Sequence, residues 1–209
     1  QGPAMTRLEA IRSIETGIEI ADEKAKEGYR VFTIGEMGIS NTTSSACILG
    51  AFNHWNAIEV TGRGTNISDE RLRHKIDVVQ RAMDVNHPDP NDGLDVLSKV
   101  GGFEYGCMTG VILGAAANHA LTIIDGFNTT ASAFIAKALC PEVVHYLMAS
   151  HLSLEQAHKK SLAALGLTEY IDLDFRLGEA IGAGIQTRML DYALSVYREC
   201  AAKDEEVKA

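Results

Sequence analysis

Basic residues are scarce in this chain: 19 Lys and Arg stand against 28 Asp and Glu, for a net charge of -9 and a pI of about 5.2. A nucleic-acid surface needs a basic patch, and no Lys/Arg cluster here is dense enough, which excludes nucleic acid as a partner. Long apolar runs are missing too. None approaches the roughly 18–20 residues of a membrane span, so no membrane partner is expected. The N-terminus is polar, with Glu9, Glu15 and Glu19, and shows no sign of a signal peptide. Cysteine is sparse: Cys47, Cys107, Cys140 and Cys200 lie far apart with no CxxC spacing. That argues against a zinc site, leaves no metal site to expect, and suits reduced thiols in a cytoplasmic protein. Each reads as a small buried hydrophobe. The remaining composition is globular, with 46% hydrophobic residues and a mean hydropathy of -0.01. Its 209 residues suffice for one substantial domain.

Two familiar phosphate loops are also absent, but a third kind of turn is present. Val31-Phe32-Thr33-Ile34 reads as a strand, and Ser44 to Leu49 suits a helix. Between them lies Gly35-Glu36-Met37-Gly38-Ile39-Ser40-Asn41-Thr42-Thr43. It is neither GxGxxG nor GxxxxGK[ST], since no lysine follows. A strand, a glycine-bearing turn and a helix start still present free amides and a positive dipole end to an anion. Asn41, Thr42 and Thr43 add side-chain donors, and Glu36 sets a carboxylate beside them. An ordinary strand-to-helix turn with a Thr/Asn cap has the same pattern.

Thr6-Arg7-Leu8-Glu9 is a capping box, and Leu8, Ile11, Ile14, Ile18, Ala21 and Ala25 give the following helix an apolar face that Gly28 ends. Ala57 to Val60 reads as a short strand running into the glycine-rich turn 61–68. Ser68 or Asp69 caps a helix to about Val85, and the 86–93 stretch breaks it. Short helices are expected over Asp95–Val100 and Cys107–Ala117. Ala120 to Gly126 holds the best strand in the chain, followed by a helix over Ala131–Leu139. Tyr146–Ser150 and Ile171–Phe175 are further candidate strands. Ser153 opens a helix to Leu165. Leu190, Ala193, Leu194 and Tyr197 give the last helix an apolar face, and the charged tail from Lys203 is expected to fray. Strands alternating with helices argue α/β with a mainly parallel sheet, and ligands of such folds sit at the carboxyl ends of the strands. The polar clusters at 35–43, 61–68, 125–130, 150–153 and 176–179 follow candidate strands, so they are expected to line one crevice.

Two carboxylates stand out as bases, Glu36 and the Glu179 of Arg176-Leu177-Gly178-Glu179. Glu179 also has a plainer reading, as favourable charge in a helix's first turn. Arg176 can bind a phosphate as a fork or be a solvated arginine. Lys75 can neutralise a phosphate or belong to an exposed helix face. Asp125 ends a buried strand, where it caps the next turn or holds a ribose hydroxyl.

These segments resemble a known family. The 35–43 turn, Gly62-Arg63-Gly64, Lys75-Ile76-Asp77-Val78-Val79, Gly101-Gly102-Phe103-Glu104, Thr109 to Ala116, Asp125-Gly126-Phe127, Ser150-His151-Leu152-Ser153 and Arg176-Leu177-Gly178-Glu179 occur in one order. Together they look like the nicotinate-nucleotide–dimethylbenzimidazole phosphoribosyltransferase family, from about Ala4 into the final helix. The resemblance implies transfer of 5-phosphoribosyl from nicotinate mononucleotide to 5,6-dimethylbenzimidazole, giving α-ribazole 5′-phosphate and nicotinate, without cofactor or metal. It implies a Rossmann-like three-layer α/β domain, the C-terminal helix of a small helical domain, and a homodimer. The chain then divides into an N-terminal helix (1–28), a nucleotide-binding domain (29–175) and a catalytic turn with its helix (176–209). Glu179 would be the base that takes the benzimidazole proton, with Glu36 assisting. Gly38, Ile39, Ser40, Asn41 and Thr42 would hold the phosphate. Gly62, Gly64, Lys75, Asp125, Ser153, Arg176 and Gly178 would contact the nucleotide, and Met37 and Leu177 the flat base.

The match has departures. The family usually has glycine where Ser40 stands, so this turn must suit a Cβ or use the hydroxyl. After Glu179 the family usually reads Gly-Thr/Ser-Gly, and here Ala180-Ile181-Gly182 follows. Pro3 to Thr6 already match the interior of a family member. A fragment, a naturally short homologue and a chain completed by a second one all fit that fact. The rival function is a non-catalytic nucleotide-binding homologue. The pair of glutamates argues for the enzyme, because a mere binder has no need of two buried carboxylates.

Overall fold

The computed structural model describes residues 2–207, with side chains described through Cys200. Helix α1 (Arg7–Lys26) starts at the expected capping box: Thr6 Oγ1 accepts from Glu9 N at 3.2 Å while Glu9 Oε2 accepts from Thr6 N at 2.8 Å. Strand β1 (Val31–Ile34) leads into α2 (Asn41–Asn53), then α3 (Ala57–Val60), α4 (Asp69–Asn86), α5 (Gly93–Val100) and α6 (Phe103–Ala117). Strand β2 (Leu121–Ile124), α7 (Phe127–Leu139), a 3-10 turn (Pro141–Tyr146), β3 (Leu147–Ala149), α8 (His158–Leu165) and α9 (Ile181–Val207) complete the chain.

The three strands form a parallel sheet in the order β1-β2-β3. This is the α/β class with a parallel sheet that the alternation implied. β2 is central, with Ile123 and Ile124 fully buried, while β1 exposes Val31 and Thr33 at one edge. Burying a side chain of that size contributes about 1.5–3 kcal/mol, so β2 anchors the sheet. The core joins it to Ile48 and Leu49 of α2, Leu97 of α5, Tyr105 and Ile112 of α6, and Phe134 and Ile135 of α7. All three strands run the same way, so their carboxyl ends share one side, where the following loops gather.

Several expectations need correction. Ala57–Val60 is one turn of helix, because Asn56 and Glu59 make a reciprocal capping box. Ile171–Phe175 is not a strand; only Ile171 forms an isolated bridge, to His151. Ser153 does not open a helix, since its backbone N donates to the His158 ring and α8 begins at His158. Helices α5, α6 and α7 begin two to four residues earlier than expected. The final helix continues regularly to Val207, and Lys208 and Ala209 lie outside the described residues. Its apolar face is not buried: Leu194 is 42% exposed and Tyr197 73%.

Candidate active site

A cleft of about 840 Å³ opens at the carboxyl ends of the strands. Residues 36–43 after β1, 63–65 before α4, Lys75 and His74 on α4, 125–129 after β2, His151, Ser153 and Glu155 after β3, and 176–179 before α9 form its walls. Every site residue expected from the sequence lies on it except Gly62. Two of the strands expected to precede these loops do not exist, yet the loops converge.

Helices α2, α7 and α9 all begin at this cleft, so three positive dipole ends face it. The turn into α2 is held by Ser40, whose φ is +68°, the left-handed region that glycine adopts freely. Ser40 makes no side-chain capping bond, so the Thr/Asn cap is not what starts α2. Lys75 reaches across from α4. Its Nζ donates to Thr42 Oγ1 at 2.7 Å and to the Gly62 carbonyl at 3.1 Å. Burial pushes its ammonium down from the ordinary lysine value, and the Glu155 carboxylate opposes that shift. Gly62 sits behind the surface, where a Cβ would collide with Glu155.

The two glutamates meet through Gly35. A Cβ there would strike the Ala180 backbone nitrogen and lie 2.8 Å from the Glu179 carbonyl carbon, so only glycine lets the loops close together. Glu36 is half-buried and tied. Its Oε1 accepts from Asn41 Nδ2 at 2.7 Å and Asn128 Nδ2 at 2.6 Å, and its Oε2 from Gly38 N at 2.8 Å. Glu179 is exposed rather than buried, correcting the expectation of two buried carboxylates. It sits in a run of three positive φ values, 73° at Gly178, 58° at Glu179 and 62° at Ala180. Only the first is a glycine, and each of the others costs about 1–2 kcal/mol.

Asp125 takes the capping role. It is 3% exposed, and its Oδ1 accepts from Ala183 N at 3.0 Å, pinning the start of α9 to the end of β2. Burial pushes its carboxyl up, and the amide hydrogen bonds counter this. His151 Nδ1 lies 3.8 Å from Asp125 Oδ1, and burial pushes the imidazole down, toward the neutral ring. The ring stacks on Phe175 with centroids 4.4 Å apart. Ser153 is positioned by His158, whose Nδ1 accepts from Ser153 N at 2.9 Å. The accepting nitrogen carries no proton, so Nε2 donates to Thr130 Oγ1 at 3.1 Å, and Thr130 donates to the Gly126 carbonyl at 2.9 Å. Burial pushes His158 down to about 3, consistent with that neutral tautomer.

Sequence reasoning missed Asn128 and Glu155. Asn128 is far from Glu36 in the chain, and an asparagine in a helix's first turn carries no signal by itself. Glu155 is 5% exposed, and both its carboxylate oxygens lack a hydrogen-bond partner among the described residues. Met37 and Leu177 are 73% and 61% exposed at the rim, an apolar lip above the polar floor.

A family model described as a phosphoribosyltransferase matches residues 1–207. The chain belongs to that family. A nicotinate-nucleotide–dimethylbenzimidazole phosphoribosyltransferase of Syntrophotalea carbinolica is 50% identical over 204 residues, 98% of this chain and 58% of the relative. One from Clostridioides difficile is 45% identical over 205 residues, 98% of this chain and 59% of the relative. The crystal structure of CobT from Thermus thermophilus superposes with a TM-score of 0.88 at 39% identity, covering 92% of this chain and 58% of that one. The chain thus spans less than three-fifths of the length of these family members.

Proposed function

We propose that the chain carries the nucleotide site and the catalytic glutamates of a nicotinate-nucleotide–dimethylbenzimidazole phosphoribosyltransferase. The observation that carries this reading is the closure of the Glu36 turn onto the Glu179 turn through Gly35, beside the start of α2. The start of α2, Lys75 and Arg176 take the 5′-phosphate, an anion suited to a helix N-terminus. Ser153 faces the sugar, Asp125 holds the start of α9 beneath it, and Met37 and Leu177 cover the flat rings.

In the proposed step one ring nitrogen of dimethylbenzimidazole attacks the ribose C1′. The bond from C1′ to the nicotinate nitrogen breaks, and its electron pair returns to that ring. The quaternary pyridinium is a good leaving group and needs little acid help. The proton on the other benzimidazole nitrogen passes to Glu179, which has no hydrogen-bond partner to displace among the described residues. Positive charge developing at C1′ is stabilised by Glu36. The products are α-ribazole 5′-phosphate and nicotinate, for cobalamin lower-ligand assembly. In the same reading residues 1–28, 29–175 and 176–209 divide the labour, the enzyme works in the cytoplasm, and two copies associate. The exposed Tyr192, Val196 and Tyr197 of α9 support a homodimer. Incubating the chain with both substrates and assaying α-ribazole phosphate tests the reaction. Product from the pure chain supports it, and nucleotide binding without product overturns turnover by this chain alone.

A further inference from the structure

The tie on Glu36 extends well beyond the turn. Asn128, on the first turn of α7, lies 92 positions away, yet its Nδ2 donates to Glu36 Oε1 at 2.6 Å. An asparagine amide has a donating end and an accepting end, so something must set which way round it sits. Here the Glu36 carboxylate, which can only accept, draws the donating end, and Ser45 Oγ donates to the other end, Asn128 Oδ1, at 2.7 Å. Ser45 is in turn 2.8 Å from the Tyr105 hydroxyl, and that hydroxyl donates to the Asn41 carbonyl at 2.6 Å. Ser45 and Tyr105 are fully buried. Burial pushes the Tyr105 hydroxyl well above the ordinary tyrosine value, so it stays a hydroxyl. Asn41 closes the ring by donating to Glu36 Oε1 at 2.7 Å.

We propose that Asn128, braced by Ser45, is a positioning residue that fixes Glu36 as a standing negative charge for the positively charged centre of the nucleotide, while Tyr105 braces the Asn41 backbone on the other side. The proposal rests on the function proposed above. Three N–H groups point at the Glu36 carboxylate, from the turn itself, from α2 and from α7. All three are donors, and an N–H bonds an ionised carboxylate more strongly than a neutral acceptor. The carboxylate therefore serves as a charge already in place, which needs no reorganisation when the ring nitrogen's positive charge moves toward C1′. Glu179 is the reverse case, with its proton-accepting oxygens unengaged among the described residues. The two glutamates thereby take different work.

The test is a binding measurement, so it does not require turnover. The full chain is titrated calorimetrically with nicotinate mononucleotide, whose ring nitrogen is cationic, and with its 1,4-dihydro form, whose ring nitrogen is neutral. The wild-type chain is expected to prefer the cationic ring by on the order of tenfold or more, the scale of one charge–charge contact near a protein surface. Asn128→Ala is expected to shrink that preference by about tenfold, the worth of one hydrogen bond to a charged group. Tyr105→Phe, which keeps the ring's packing, is expected to shrink it by less. A role confined to structure would weaken both ligands alike and leave the ratio unchanged. An unchanged ratio in both variants, with wild-type binding intact, overturns the proposal. Failure of the wild-type chain to bind either form overturns the proposed function instead.

Discussion

Glu36 and Glu179 sit on neighbouring loops that touch through Gly35, and the protein treats them oppositely. Around Glu36 two side-chain amides and one backbone amide hold a half-buried carboxylate, and buried hydroxyls hold Asn128 and Asn41 in turn. Around Glu179 the backbone is bent through positive φ values and the side chain stands in solvent. The proposed reaction fits that contrast: the charge that must be in one place is tied, and the base that must meet a substrate and surrender its proton again is left untied, on a turn held from below by Asp125 and Gly35. On that reading the contrast separates electrostatic from proton-transfer work using one residue type.

The largest effect should come from the untied side. Glu179→Gln is expected to lower turnover by about 10²- to 10⁴-fold, the contribution of a general base, while the melting temperature stays put. Product assay with thermal melting checks this, and undiminished turnover refutes the assigned base. On the tied side, Glu36→Gln puts an NH₂ against N–H donors. It should cost about 1–3 kcal/mol of stability in a denaturant titration, a cost Glu179→Gln should not share. Equal stability of the two variants would break the comparison.

The buried His158 latch behind Ser153 extends the same contrast to pH. An unfolded histidine takes up its proton near 6.5, but folded His158 resists until about 3. Between these values only the unfolded chain gains that proton. The latch's contribution is therefore intact above pH 6.5 and is lost as pH falls toward 3, by at most ~1.4 kcal/mol per pH unit. Chemical denaturation across pH 7 to 4 should show the decline, and a His158→Gln variant should flatten it. The smallest effects are gains. Ser40→Gly and Ala180→Gly relieve positive φ at two non-glycine positions, and each should stabilise the fold by about 1 kcal/mol. No gain from Ala180→Gly would show that the bent turn carries no strain.

Local signals read well in this sequence. The capping box at Thr6, the Ser68 cap and the apolar run of β2 all appear where their chemistry placed them. Ala57–Val60 reads as a strand because three apolar residues in a run of four suit either period, and the deciding capping box joins Asn56, just before the run, to Glu59 within it. Ser153 reads as a helix cap, but its amide bonds to a side chain five residues on, a contact no cap rule contains. The loops of the site were legible because each has its own glycines and hydroxyls and the family order joins them. Asn128 and Glu155 were not, because their meaning lies in partners that only the folded chain brings near, Glu36 for one and Gly62 for the other.

The convergence of three helix starts on one cleft has a kinetic side. The whole chain carries a charge of -9, so the anionic nucleotide of the proposed reaction would be repelled at a distance and attracted only within the cleft. Dissolved salt screens charges beyond about 8–10 Å, which weakens the long-range repulsion more than the short-range hold of the amides and Lys75. Capture of the nucleotide should therefore quicken, not slow, as salt rises from very low to physiological levels.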